Sequence, residues 1–158
     1  MKVIEVTPNE PGAVLPGAQF ADAWQASPVS PDLDMSQVAS RLGNVTPNWV
    51  HTLMKLRNRL VRPFGLVTGD STGTMRDGRA IFPVVSSEPG RVVLGLDDKH
   101  LDFRLVIESG ATIDGSVTAT ATTFVRTKNL GGRLYLAAVK PFHRIIVPVI
   151  LKQALRAA

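Results

Sequence analysis

The chain has 158 residues, no cysteine and a formal net charge of +5. That length suits a single domain, one that buries about 70% of its unfolded surface without covalent staples. The lack of cysteine excludes disulfides and thiolate metal sites, and His51, His100 and His143 lie too far apart for zinc-ligand spacing, so neither metal nor cofactor is expected.

Residues 1–17 carry three prolines and little apolar periodicity, and read as an extended N-terminal arm. They lack the apolar core of roughly 7–15 residues that a signal peptide needs, so a cytoplasmic location is the expectation. "AQFADAWQA" (18–26) reads as the first strand of a single domain over 18–158, with Phe20, Asp22 and Trp24 on one face and Ala21 and Ala23 on the other. "DMSQVASRLG" predicts a short helix with Asp34 as N-cap and Gly43 as its stop. "TPNWVHTLMKLRNRLVRPFG" predicts a second helix, capped by Thr46, with Trp49, Leu53, Leu56 and Leu60 along one face and Pro63 at its end. The Gly-rich "LVTGDSTGTMRDGR" lacks the Gly-Lys-Ser/Thr ending of a phosphate loop and reads as a connecting loop.

Four strands follow. "RAIFPVVSSEPG", "RVVLGLDD" and "HLDFRLVIESG" are divided by turn signals at Glu88-Pro89-Gly90 and Asp97-Asp98, and "SVTATATTFVRTKN" is long and rich in β-branched residues. In the third, Leu101, Phe103, Leu105 and Ile107 face one way and His100, Asp102, Arg104 and Glu108 the other, which predicts one dry and one wet face. The segment from about Gly131 to Ala157 reads as a long helix despite Pro141 and Pro148. The order strand, two helices, antiparallel meander and long C-terminal helix predicts an α+β helix-grip fold, a curved antiparallel sheet wrapped around that helix. No transmembrane segment is expected, because a spanning helix needs about 20 mainly apolar residues and the unbroken run here is only Ile145 to Leu151.

Charge is segregated. Residues 35–69 and 115–158 contain basic residues and no acid, so all 13 carboxylates lie elsewhere. Two basic segments that meet in space make a face attractive to anions, among them a small acid or a lipid headgroup. Nucleic acid is not an expected partner: there is no RNP pattern, no zinc finger and a single tyrosine for stacking.

"LPGAQFADAW", "LMKLRNRLVRPFGL", "VVLGLDDKHLDFRL" and "TFVRTKNLGGRLYLAAVKPFHRIIVP" resemble an uncharacterised bacterial family of unknown function, over roughly residues 15–155. The resemblance places the chain with the START-like, polyketide-cyclase-like (SRPBCC) helix-grip superfamily. It implies a cavity fold and no established catalytic set, since such folds host carriers as well as enzymes. The family often reads Thr-His-Asn where this chain has Thr127-Lys128-Asn129. The positions Arg126, Gly132, Arg133, Tyr135, Lys140, Pro141, Phe142 and His143 match it.

Two polar residues fall on apolar helix faces. On a helical wheel Arg57 lies about 80° from Trp49, and His143 about 80° from Tyr135, while Lys140 and Arg144 fall toward solvent. Each is either a satisfied core residue or a group that meets a ligand. With Trp49, Phe103, Tyr135 and Phe142 they form the candidate ligand-binding set. The small face of the long strand (Val117, Ala119, Ala121, Thr123, Val125) leaves either a hollow or a close helix approach. His100, Asp102, Arg104 and Arg126 read either as a His–Asp couple feeding a site or as an exposed charge ladder paired across strands.

The leading functional expectation is a small soluble protein, more a binder than an enzyme, that holds a hydrophobic small molecule, neutral or anionic, between sheet and C-terminal helix. The alternatives are a cyclase-, dehydratase- or isomerase-type enzyme with His143 as acid/base, and association of the basic C-terminal helix with an anionic membrane surface.

Overall fold

The computed structural model describes residues 1–9, 11–42, 48, 52, 59, 83–97 and 100–156. Alternating apolar and polar residues build strands β1 (Lys2–Val6), β2 (Phe20–Ser27), β3 (Val84–Glu88), β4 (Arg91–Asp97), β5 (Leu101–Ala111) and β6 (Val117–Thr127). They form one open antiparallel sheet in the order β1-β2-β6-β5-β4-β3. The described helices are α1 (Pro11–Val14), α2 (Met35–Leu42) and the long C-terminal α3 (Leu130–Arg156). The fold is α+β in a helix-grip-like arrangement. β3 to β6 run as the predicted meander, and β2 closes beside β6.

Within the N-terminal arm, the extended Lys2–Val6 adds an edge strand to β2. Asp34 caps α2, its Oδ1 accepting the Ser36 amide at 2.9 Å. Asn48, Thr52 and Arg59 are helical; the rest of the second predicted helix, with Trp49 and Arg57, and the Gly-rich segment lie outside the described residues. At the opposite edge all of β3 is exposed, and its pairing with β4 shifts register between Val84 and Ser86.

Cross-strand register assigns the two faces. On the helix side, Asp22, Thr123, Leu105 and Leu94 form one row, and Trp24, Ala121, Ile107 and Val92 the next. Leu151, Ala154 and Leu155 of α3 and Met35 and Val38 of α2 pack with Ala26, Ala119, Ala121 and Ile107 into the main core. The small residues of β6 thus receive a closely approaching helix at this end.

The other face is drier than the alternation in β5 predicts. Val93, Val106 and Phe124 are buried there with Leu15, and Val14, Ala18 and Ala21 pack against them. The cause is the arm, which crosses this face and removes it from water.

The start of α3 depends on a close contact. Asn129 Oδ1 accepts the Gly132 amide at 2.9 Å, as an N-cap does, and the Lys128 amide donates to the His100 carbonyl at 2.9 Å. A Cβ on Gly132 would stand 2.1 Å from that same carbonyl oxygen. Backbone cannot yield as a side-chain tip does. Gly132→Ala is therefore expected to cost about 3 kcal/mol, the upper end of overpacking penalties, measured by urea unfolding.

Candidate functional site

Phe20, Asp22 and Trp24 alternate onto the helix side of β2, so the sheet presents a carboxylate to an apolar layer. Asp22 is only 6% exposed. A buried charge must be paired, and both oxygens are. His143 Nε2 lies 3.0 Å from Oδ1, and Trp24 Nε1 donates to Oδ2 at 3.2 Å. The Phe20 ring meets the imidazole edge-on, with centroids 5.9 Å apart, and the Lys140 ammonium lies 5.2 Å from the Phe20 centroid. Thr123, directly across from Asp22 on β6, is buried, and its hydroxyl has no hydrogen-bond partner among the described residues.

The chemistry of this group follows from its hydrogen bonds. An ionised carboxylate only accepts, so the proton shared with Asp22 sits on Nε2 and Nδ1 is left as the acceptor of the neutral ring. A carboxylate behind an imidazole fixes its tautomer and orientation and stabilises the protonated ring. The arrangement can therefore hold a hydroxyl or carbonyl, or move a proton at Nδ1. It is poorly suited to capturing an anion, because the Asp22 carboxylate already stands 3.0 Å from the same ring. Among the described residues no cluster of His, Asp or Glu is placed to hold a metal ion.

The wheel placed His143 inward and Arg144 outward. In the structure the His143 side chain is 18% exposed, and Arg144 is 63% exposed, paired with Glu5 at 3.0 Å. Tyr135 and Phe142 are half-buried on α3. Phe103 is half-buried in β5, in the row that runs through Val125 to Phe20. Asp22 and Thr123 were not among the sequence candidates. The available signal for Asp22 was an acid between Phe20 and Trp24 on a face otherwise apolar.

The proposed His100–Asp102 couple does not form. Asp102, 2% exposed, receives Arg126 Nη2 at 2.6 Å and Lys128 Nζ at 2.8 Å, while the His100 ring faces Asn129 Oδ1 at 3.2 Å. Arg126 Nη1 also donates to the Pro16 carbonyl at 2.8 Å, tying the arm to the sheet. Arg104 pairs with Asp97 at 2.7 Å. The ladder reading holds for these residues, with the difference that its central acid is buried. Lys128 is one of that acid's two cationic partners. A cavity of about 310 Å³ lies on this arm-covered face, lined by residues including Val14, Arg91, Glu108 and Phe124.

Residues 14–150 match the family model for proteins of unknown function, DUF2867. The chain belongs to that family. The matched span runs from the end of the arm into the last third of α3, so it contains Asp22, Thr123 and His143 as well as Asp102 and its partners. No curated protein and no solved structure matches the chain.

Two outcomes are expected. Burial alone would raise the Asp102 carboxyl, but its bonds to Lys128 and Arg126 and their charges outweigh burial and hold it below the ordinary aspartate range. A depressed folded value contributes stability that is complete above the unfolded value of about 3.9 and is lost as pH falls through the folded one. Asp102→Asn should therefore lower stability at neutral pH by about 2–3 kcal/mol. The gap to the parent protein should narrow below about pH 4 in pH-dependent denaturant titrations. For the other pair, a double-mutant cycle over Asp22→Ala and His143→Ala should return a coupling of about 1–2 kcal/mol; additivity would mean that the bond contributes nothing to stability.

Proposed function

We propose that the protein is a small-molecule-binding member of the START-like helix-grip superfamily, soluble and cytoplasmic. Its ligand is a hydrophobic compound seated between sheet and α3, with a hydroxyl or carbonyl group at His143 and Thr123. The superfamily placement is supported by the element order: a first core strand that closes beside the last, helices, a meander, and one long helix. The observation that carries the reading is the polar group on the helix side of the sheet. Asp22 uses both oxygens to hold protein groups, yet the Thr123 hydroxyl opposite it is buried without a partner among the described residues. Leaving a buried hydroxyl unpaired costs about 1–3 kcal/mol, and a ligand atom would recover it. Apolar walls supply affinity and a few placed polar atoms supply orientation. Phe20, Phe103, Tyr135 and Phe142 are the aromatic groups for such walls.

A second reading is favoured by the Asp22–His143 bond itself. A carboxylate-backed imidazole with Nδ1 as acceptor is equipped for general acid–base chemistry, as in a cyclase, dehydratase or isomerase. In that reading His143 takes a proton at Nδ1 and Asp22 stabilises the imidazolium that results.

Thr123→Val separates a ligand role from a structural one. It replaces an unpaired hydroxyl with a methyl of the same shape, so the protein is expected to hold or gain stability, by up to about 1 kcal/mol. Native mass spectrometry of protein purified from cells should show a retained small molecule in the parent and less of it in the variant. Equal retention in both, or none in the parent, would sink the binding reading. Conversion of the retained molecule over time, abolished in His143→Gln, would select the enzyme reading.

A further inference from the structure

The outward side of α3 from Leu130 to Ile145 does not have the composition of an ordinary solvated helix face. Leu130, Arg133, Leu134, Lys140, Arg144 and Ile145 are all exposed and fall on one stripe at helical spacing. The apolar members are well out of the protein: Leu130 is 69% exposed, Leu134 42% and Ile145 53%. The charged members are all basic, and residues 115–158 contain no acid. By length and composition α3 is apolar enough to cross a bilayer, and only 6% of its most apolar stretch is buried in the protein.

Crossing is not what this helix is placed to do. Leu151, Ala154 and Leu155 are buried in the main core with α2 and the sheet, so a spanning α3 would dismantle the fold. Lys140 and Arg144 also stand in its middle, where a charge in hydrocarbon is costly. A helix with bulky apolar side chains and an all-basic charge set on its exposed side is instead suited to lie in the plane of a membrane interface. The partners that its cations now have are exchangeable. Arg144 and Glu5 form an exposed pair, which is worth little, and the exposed Lys140 has its ammonium 5.2 Å from the Phe20 ring centroid.

We propose that this stripe seats the domain on an anionic membrane surface. Leu130, Leu134 and Ile145 enter the headgroup boundary, and Arg133, Lys140 and Arg144 meet lipid phosphates. The proposal is independent of the ligand reading above. It requires an anionic bilayer and neither a bound ligand nor catalysis.

The test is cosedimentation of the full chain with vesicles of phosphatidylcholine, with and without phosphatidylserine, at low and raised salt. Binding is expected on the anionic vesicles only, and is expected to fall as salt screens the charges. Each basic residue near such a surface contributes about fivefold in partitioning, so Arg133→Gln with Lys140→Gln should weaken binding roughly 25-fold. Leu134→Gln with Ile145→Gln should also weaken it while leaving the charge unchanged. All four positions are exposed, and far-ultraviolet circular dichroism checks that each variant is folded; should one misfold, the salt and lipid dependence of the parent protein still decides. The proposal is overturned by no binding to anionic vesicles at low salt, by equal binding to neutral ones, or by binding that both double variants retain. A dimer in analytical ultracentrifugation that Leu134→Gln with Ile145→Gln dissolves, with vesicles ignored, would also overturn it and make the stripe a self-interface.

Discussion

An acid that faces an apolar layer has to find a partner, and Asp22 finds it on the far side of that layer. Its bond to His143 is a directional contact between sheet and long helix in an interface otherwise dominated by shape. Two further contacts fix α3 along its length: Gly132 against the His100 carbonyl at the start, and Leu151 to Leu155 in the core near the end. Hydrophobic packing is non-directional and tolerates sliding and rotation. The Asp22–His143 bond does not, and it holds the helix at the rotation that turns Arg144 and Ile145 outward.

Two buried aspartates in one sheet have different surroundings. Asp102, on the arm side, is enclosed by Arg126 and Lys128 and is an ion-pair centre that fastens the arm through the Pro16 carbonyl. Asp22, on the helix side, has an imidazole and an indole. An arginine is always charged, so Asp102 is committed to one protonation state at neutral pH. The Asp22 partners are an imidazole and an indole, neither of them a permanent cation. That contrast in partners separates a structural acid from a candidate functional one.

Much of the fold was legible in the sequence because its signals are local. Period-two alternation marked β2, β5 and β6, turn residues divided the meander, and Asp34 announced α2. The inward turn of His143 was legible too, since the helical repeat sets it even through Pro141. What pairs with what was not, because Asp22 and His143 are 121 residues apart and no periodicity reports a contact at that distance. The same holds for the face of β5 around Val106: alternation marks it as outward, and only the path of residues 14–18 shows that it is covered. Asp102 was legible as a member of a charge ladder, but its burial depends on that same path.

The register shift in β3 has a consequence for the protein among its own copies. An open sheet leaves two edges whose unpaired amides and carbonyls can template a strand from another molecule. β3 is such an edge, with Val84 62% and Val85 57% exposed, a pairing of apolar surface and free backbone that favours strand addition. The irregularity between Val84 and Ser86 breaks the even spacing of those groups and increases local twist. An incoming strand would therefore meet evenly spaced groups for only part of its length, which works against strand addition at this edge of the described sheet.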